Sequence, residues 1–273
     1  MSFTSKVFET RVVKMADREE TIVAGGRHLF PLLPKAFDGI RQIGVIGWSS
    51  QGPAQAQNLR ESLEGTGIRV KVGLRDKLFM ATKVWTSGRA AGIAQMEESA
   101  RKLRGRVDLM QVHNLVDADA HLETLRRWKA EKRIRYIGVT HYTASAYGQL
   151  ERYLEKPGID FVQLNYSLAE REAEQRLLPL ARERGIAVLV NRPFGAGSLF
   201  REARGKALPS FARDLGATSW AELFLKFVVA HPAVTCAIPA TSKTEHLRQN
   251  MNAGRTPLPD EPMRKKIASA LLE

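Results

Sequence analysis

The amino-acid sequence predicts an α/β protein, (β/α)8 TIM-barrel-like, with N-terminal units that are incomplete or irregular. Three observations carry this expectation. From Lys77 onward, six short runs that are apolar on both faces alternate with amphipathic segments, the pattern of a parallel sheet covered by helices. Two earlier runs, RQIGVIG and IRVKVGL, bring the strand count to the eight of such a barrel. Only RDK separates VKVGL from LFMATKV, whereas parallel neighbours need a crossover of about a dozen residues. These two runs cannot be sequential parallel strands. They form a tight hairpin, or one of them is not a strand, or the chain joins pieces of two architectures.

Taken in order, residues 1–40 read as an irregular lead-in arm, with glycines at 25 and 26 and the proline-bounded FPLLP. RQIGVIG is a buried-type strand, WSSQG a turn, and PAQAQNLRESLEG a helix with Pro53 in its first turn, where a missing N–H does no harm. IRVKVGL, rich in β-branched residues, completes a βαβ unit. LFMATKV, VDLMQVHN, IRYIGVTH, FVQLNYS, AVLVNRPF and VTCAIPAT follow as six buried strands. Helical periodicity places helices over 94–104, 121–133, 144–156, 173–184 and 218–230, with a last one beginning near Lys243. The expected division is an arm plus Rossmann-like βαβ segment over 1–76 and a barrel portion over 77–273.

The hydrophobic fraction of 44% and charged fraction of 26% are those of a globular protein. One cysteine, Cys236, excludes an intramolecular disulfide and suits a reducing compartment, so a cytoplasmic location is expected. The start MSFTSKVFETRVVKM has no apolar core of a signal peptide and includes Glu9. No run reaches the roughly 20 apolar residues of a membrane span. A net charge of +13 and a pI near 10.1 raise the question of nucleic acid. However, the basic residues lie among acids on helix faces, as in HLETLRRWKAEKR and AEQRLLPLARERG. Solvated helix faces and a small-molecule partner are the expectation, without a nucleic-acid, membrane or metal site.

Two motifs carry chemistry. GVIGWSSQG resembles a dinucleotide-binding turn that keeps Gly47 and Gly52 but has Ser49 at the middle glycine position, where a β-carbon crowds an approaching phosphate. An ordinary strand-to-helix turn explains the same residues. Lys83 and His113 lie near the C-terminal ends of consecutive strands, the end at which barrel active sites form. A buried lysine needs a partner or a function. A paired lysine and a satisfied core histidine are the structural alternative.

Two resemblances to known families extend these readings. KVFET, GGRHLFPLLPKAFDGIRQIGVIGW, SQGPAQAQNLRESL and VKVGLR are together similar to the nucleotide-binding segment of plant-type ketol-acid reductoisomerases, over roughly residues 6–75. That resemblance implies a contact of Arg75 with an NADP 2′-phosphate, and the family's magnesium-binding helical domain has no counterpart here. GLRDKLFMATKVW, DLMQVHN, RYIGVTHY, FVQLNYS, VNRPFGAGSLF and AIPATSKTEHLRQN resemble an aldo-keto reductase from its third barrel strand onward, over roughly residues 72–273. The tetrapeptide GLRD suits both parents, so the chain is chimera-like and the missing helix belongs to the parent that was cut away.

The second resemblance implies carbonyl reduction by hydride from NADPH, with NADP(H) as cofactor and an aldehyde or ketone as substrate. Lys83 and His113 match the family's catalytic lysine and histidine. Its aspartate and tyrosine belong to the replaced part of the barrel, which implies impaired catalysis. Tyr142 and Tyr166 stand at strand ends, yet nothing in the sequence directs them to Lys83. Thr140, His141 and Gln163 match contacts to the cofactor carboxamide, while Asn191 stands where many members stack a tyrosine on nicotinamide. Thr241, Ser242, Lys243, His246 and Asn250 match the region that binds the adenosine phosphate. The alternatives are a catalytically silent nucleotide-binding or engineered scaffold and, third, a ketol-acid reductoisomerase fragment.

Overall fold

A computed structural model describes residues 9–15, 18–23, 31–32, 35, 42–45, 63, 69–72 and 79–272. The chain divides into two compact units, residues 1–78 and 79–273. In the first, β1 (Thr10–Met15) and β2 (Arg18–Val23) pair antiparallel, with Thr10 opposite Val23 and Met15 opposite Arg18. This hairpin corrects the expectation of an irregular arm. Its strands TRVVKM and REETIV hold the β-branched residues that favour extended backbone, but interspersed charges mask their apolar alternation. β3 (Gln42–Val45) and β4 (Arg69–Val72) pair in parallel, Gln42 opposite Arg69 and Val45 opposite Val72. The intervening chain is long enough for the crossover that a parallel pair needs. Apart from Leu63, the helix expected over 53–65 lies outside the described residues, as do the turn with Gly47 and Gly52 and Arg75.

In the second unit the chain alternates β5 (Ala81–Val84), α1 (Arg89–Lys102), β6 (Val107–His113), α2 (Ala118–Ala130), β7 (Ile134–Thr140) and α3 (Tyr147–Leu154). It continues through β8 (Phe161–Asn165), α4 (Leu177–Glu183), β9 (Ala187–Asn191), the short α5 (Ser198–Glu202), α6 (Trp220–Val229), β10 (Val234–Ala237), α7 (Thr244–Ala253) and α8 (Glu261–Leu272). The six strands β5 to β10 form one sheet in sequence order, and every neighbouring pair is parallel. Of the eight strands counted in the sequence, six therefore share this sheet, while β3 and β4 form a sheet of their own.

Side chains alternate across the pleat, and the two sets meet different surroundings. Val84, Met110, Val112, Ile137, Val139, Val162, Leu164, Val188 and Val190 join the buried core with helix residues such as Met96, Leu125, Trp128, Leu150 and Phe227. On the other face, Phe79, Tyr136 and Phe161 cluster near the strand starts, their ring centroids 5.4 to 5.8 Å apart. Polar residues occupy that face toward the strand ends. Three expectations change. β10 is partly exposed at Thr235 and Cys236, because it is an edge strand with an irregular register beside β9. Helix α8 and the short α5 were not anticipated. No helix among the described residues is long and apolar enough to cross a membrane.

Two buried cations tie the C-terminal helices to the rest of this unit. Arg264 of α8 is 4% exposed. It donates to the Phe227 carbonyl at 3.1 Å, to Glu261 at 2.6 Å, to the Tyr166 hydroxyl at 2.5 Å and to Glu174 at 3.0 Å. Lys226 of α6, fully buried, donates to the carbonyls of Ala253, Thr256 and Pro257 at 3.3, 3.2 and 2.7 Å. A cation among the last carbonyls of α7 satisfies groups that a helix end leaves unpaired. Replacing Arg264→Met leaves Glu174 with one fewer cation, and we expect a loss on the order of 3 kcal/mol. Urea unfolding of the variant beside the parent checks this; an unchanged midpoint would mean that Arg264 is not a fastening of α8.

Candidate functional site

Lys83 and His113 lie on the polar face at the C-terminal ends of β5 and β6, in a register that sets Lys83 beside Gln111 and His113 beside Thr140. Burial pushes the Lys83 amine below the ordinary lysine value, and no described carboxylate opposes the shift. The His113 ring is held below its ordinary value by burial first, then by the positive charge of Lys83 and by His141. Its Nδ1 is 2.8 Å from Thr140 Oγ1, and the Trp85 indole meets it edge-on with centroids 5.4 Å apart.

The loop bearing Trp85 is pinned from three directions. Trp85 N–H donates to Gln95 Oε1 at 2.6 Å, the Thr86 carbonyl lies 2.8 Å from His121 Nε2, and Gly88 N–H donates to Asp117 at 2.6 Å. Gly92 is required for this arrangement, since a β-carbon there would meet His121 Cε1 at 2.2 Å. After His113 the chain turns through Asn114, Leu115 and Asp117 with φ of 53°, 56° and 44°. For residues with a β-carbon each costs roughly 1 kcal/mol, less for Asn and Asp. A tight turn is thereby held directly behind the histidine.

Beneath these residues runs a row of buried amides. Gln111 Nε2 donates to Gln163 Oε1 at 3.0 Å, and Gln163 Nε2 donates to Asn191 Oδ1 at 2.5 Å. Asn165 Nδ2 donates to the Tyr142 carbonyl at 2.6 Å. Gly138 makes room for the row: a β-carbon would sit 2.9 Å from both Gln111 Cγ and the Phe161 carbonyl oxygen. Buried acceptors without a partner among the described residues include Gln111 Oε1, Asn114 Oδ1 and Asn165 Oδ1. Such oxygens are costly to leave unmatched, so this face is suited to a ligand that carries N–H or O–H groups.

The structure gathers Lys83, His113, Thr140, His141, Gln163 and Asn191 at one end of adjacent strands. The carboxamide contacts expected of three of them are already partly engaged. The Thr140 hydroxyl meets His113, His141 Nδ1 accepts from Thr143 N–H at 3.2 Å, and Gln163 bonds at both ends of its amide. A second group lies after β10 and in the first turns of α7. There Thr241, Ser242, Lys243 and His246 are exposed, Thr241 Oγ1 accepts from Lys243 N–H at 3.1 Å, and Asn250 Nδ2 donates to the Pro239 carbonyl at 3.3 Å. Two surface clefts, of about 520 and 510 Å³, are lined around His231 and Arg182 and around Arg171 and Glu174, not by Lys83 or His113.

All five tyrosines of the chain are described. Tyr166, on the helix-facing side, gives its hydroxyl to Glu174 and receives Arg264, and burial drives its pKa upward. Its hydroxyl is thereby engaged with Glu174 and Arg264 and not with Lys83. Tyr147 donates to the Asn165 carbonyl at 2.7 Å, Tyr136 sits in the aromatic cluster near the strand starts, and Tyr153 interacts with Asp119. Tyr142 is exposed, stacked on His141 with Arg192 over its ring. Sequence reasoning missed Gln111, Trp85 and Asn165. Each lies two residues from a residue it did select, and the period of two was the signal that could have found them.

Comparison with known proteins places these features in context. The model of the aldo/keto reductase family matches residues 50–269. Chloroplastic ketol-acid reductoisomerases match parts of the chain: that of Pisum sativum at 37% identity over 175 residues, 62% of this chain, and that of Spinacia oleracea at 50% over 95 residues, 34% of this chain. The chain spans only 28% and 15% of the length of these two relatives. The uncharacterized oxidoreductase YcsN of Bacillus subtilis is 26% identical over 222 residues, 71% of this chain and 73% of its own. Among solved structures, aldo-keto reductase AKR11C1 from Bacillus halodurans aligns over 96% of each chain at 20% identity and a TM-score of 0.59. An aldo-keto reductase from Klebsiella pneumoniae in complex with NADPH aligns over 88% of this chain and 83% of its own at 24% and 0.58. At such identities the likeness to the solved structures is one of fold.

Two predictions follow from this geometry. Gly138→Ala should destabilise by roughly 1 to 3 kcal/mol, because a backbone carbonyl cannot yield as a side-chain end can; a thermal melt equal to the parent's would contradict the packing. His113, His141 and His231 are all held below the ordinary value of 6.5, in each case by burial first. Below 6.5 the unfolded chain therefore binds more protons, so their contribution is complete above that pH and is lost as pH falls through the lowered values. Urea midpoints should drop between pH 7.5 and 5.5, before the carboxylates protonate, and a flat profile would show the histidines to be freely solvated.

Proposed function

Because the chain belongs to the aldo/keto reductase family, we propose that it is an NADP(H)-dependent oxidoreductase acting on aldehydes or ketones, with catalysis impaired by an incomplete set of catalytic groups. The observation that carries this reading is the juxtaposition of a desolvated Lys83 and the His113 ring at the C-terminal ends of neighbouring strands. In the family resemblance these are the lysine and histidine of the site. An ammonium and an imidazole N–H directed at one carbonyl oxygen stabilise the negative charge that develops on it as the carbon is reduced. Trp85 bounds this corner on the histidine side.

The residues fit a nicotinamide cofactor in part. Asn165 Oδ1 is a buried acceptor without a described partner, suited to a carboxamide NH₂. Asn191 offers no aromatic face for stacking. Thr241, Ser242 and Lys243 present hydroxyls and a cation at the start of α7, a setting that favours phosphate oxygens; the name of the Klebsiella pneumoniae neighbour supports NADPH as the form bound. When bound, that cofactor supplies the hydride.

What is missing among the described residues is the proton donor. The resemblance calls for a tyrosine and an aspartate, and no described carboxylate lowers or raises the Lys83 amine. Of the tyrosines only Tyr142 has a hydroxyl without a described partner, and it is exposed. We therefore assign to the chain a chimera-like origin, in which a ketol-acid reductoisomerase-like segment over roughly residues 6–75 stands in for the first barrel units. The 50% match to the spinach protein supports this. The absent acid favours, as a second reading, a nucleotide-binding scaffold without turnover.

The test is steady-state NADPH oxidation with an activated aromatic aldehyde, together with a direct titration of NADPH and NADH. Turnover should lie about 10² to 10⁴ below that of a site with a positioned general acid. Lys83→Met and His113→Ala should lower what remains. NADPH should bind more tightly than NADH, and Lys243→Ala should remove most of the difference. Cofactor binding without any turnover would establish the scaffold reading instead. Rapid turnover that is lost in Tyr142→Phe would identify the proton donor and overturn the claim of impairment.

A further inference from the structure

We propose that Thr140 is a positioning residue for His113: its hydroxyl donates to Nδ1 and holds the neutral ring with its proton on Nε2, available to a carbonyl oxygen. The functional meaning of this assignment rests on the carbonyl-reductase reading above; the hydrogen-bond assignment does not.

The argument is one of satisfying every buried group. Thr140 is 1% exposed, and a hydroxyl carries a single proton with two lone pairs. Around its oxygen the described residues place two partners, His113 Nδ1 at 2.8 Å and the backbone N–H of Asn114 at 3.4 Å. The amide can only donate, so it takes one lone pair and cannot receive the hydroxyl proton. His113 Nδ1 is then the one acceptor within reach of that proton among the described residues. In the opposite tautomer two N–H groups would point at the oxygen and the hydroxyl proton would be orphaned in a buried place. An orphaned buried donor biases such an equilibrium by roughly 5- to 150-fold.

Among the described residues nothing else competes for the ring. Trp85 meets it through an edge contact, and the charged or titratable groups acting on it are Lys83 from β5 and His141 after β7. Both oppose a positive ring, and so does the hydroxyl, which would have to turn its proton away from a protonated Nδ1. Nε2 has no described hydrogen-bond partner. The strained turn through Asn114 and Leu115 has a consequence here, because it delivers the Asn114 N–H to the hydroxyl and so decides which way the hydroxyl donates. His113 is thereby a hydrogen-bond donor rather than a source of protons at neutral pH. The expectation that the Thr140 hydroxyl serves a cofactor carboxamide is narrowed: its proton is already committed, and only a lone pair is left.

The experiment is long-range ¹H–¹⁵N correlation on the full ¹⁵N-labelled chain at pH 8, with His113 assigned by its loss in His113→Ala. The expected result is an unprotonated Nδ1 and a protonated Nε2. A protonated Nδ1 in the parent overturns the proposal outright. In Thr140→Val the Nδ1–H form should become detectable and the ring should titrate at higher pH, whereas Thr140→Ser should restore the parent's spectrum. A Thr140→Val ring indistinguishable from the parent's would equally refute the role. If Thr140→Val does not fold, the parent and Thr140→Ser spectra still decide the assignment. Absence of NADPH oxidation would refute the functional reading and leave the tautomer result standing.

Discussion

A parallel strand must present alternate residues to two sides, and in residues 79–272 everything else depends on how those sides are filled. The helix-facing set is aliphatic and dry. Its partner set cannot be aliphatic throughout, because Gln111, Gln163, Asn165 and Asn191 sit on it, and buried amides are tolerated only when their donors and acceptors are matched. The matching runs across the sheet: Gln111 of β6 donates past β7 to Gln163 of β8, which donates to Asn191 of β9, and Gly138 of β7 leaves the gap through which the row passes. The unmatched oxygens that remain, on Gln111, Asn114 and Asn165, are at the end of the sheet that also holds Lys83 and His113.

Charge is used differently in two regions. Around Arg264 and Lys226 each cation is surrounded by acceptors, so burial is compensated by three or four hydrogen bonds and the result is fastening. Around Lys83 there is burial with no described anion, and its neighbour His113 is made less basic by the same surroundings. The first arrangement lowers the energy of the folded state. The second leaves electrostatic potential uncompensated where a polar ligand can respond to it.

The sequence made the strand ends legible. LFMATKV and VDLMQVHN announce their own period, so Lys83 and His113 could be assigned to one end and one face before any neighbour was known. Gln111 and Trp85 were equally assignable by parity, but nothing local distinguished a glutamine in an amide row from one at a solvent edge. Tyr166 shows the converse. Its place after FVQLN resembles that of Tyr142 after IRYIGVT, and only the ion pair of Glu174 with Arg264, from a helix that the sequence did not signal, shows that its hydroxyl is committed elsewhere.

By itself, then, the sequence determined the alternation of strands and helices from Lys77 onward, the parallel character of the sheet, and the strand end at which Lys83 and His113 lie. These follow from hydrophobic periodicity over a few residues, which is a local property. Tertiary structure alone decided that residues 10–23 pair as a hairpin, that β3 and β4 make a separate sheet, that β10 is an exposed edge, and that Thr140 faces His113. Each of these is a matter of register or partner between segments distant in sequence, where a shift of one residue would exchange every contact while leaving the local pattern unchanged.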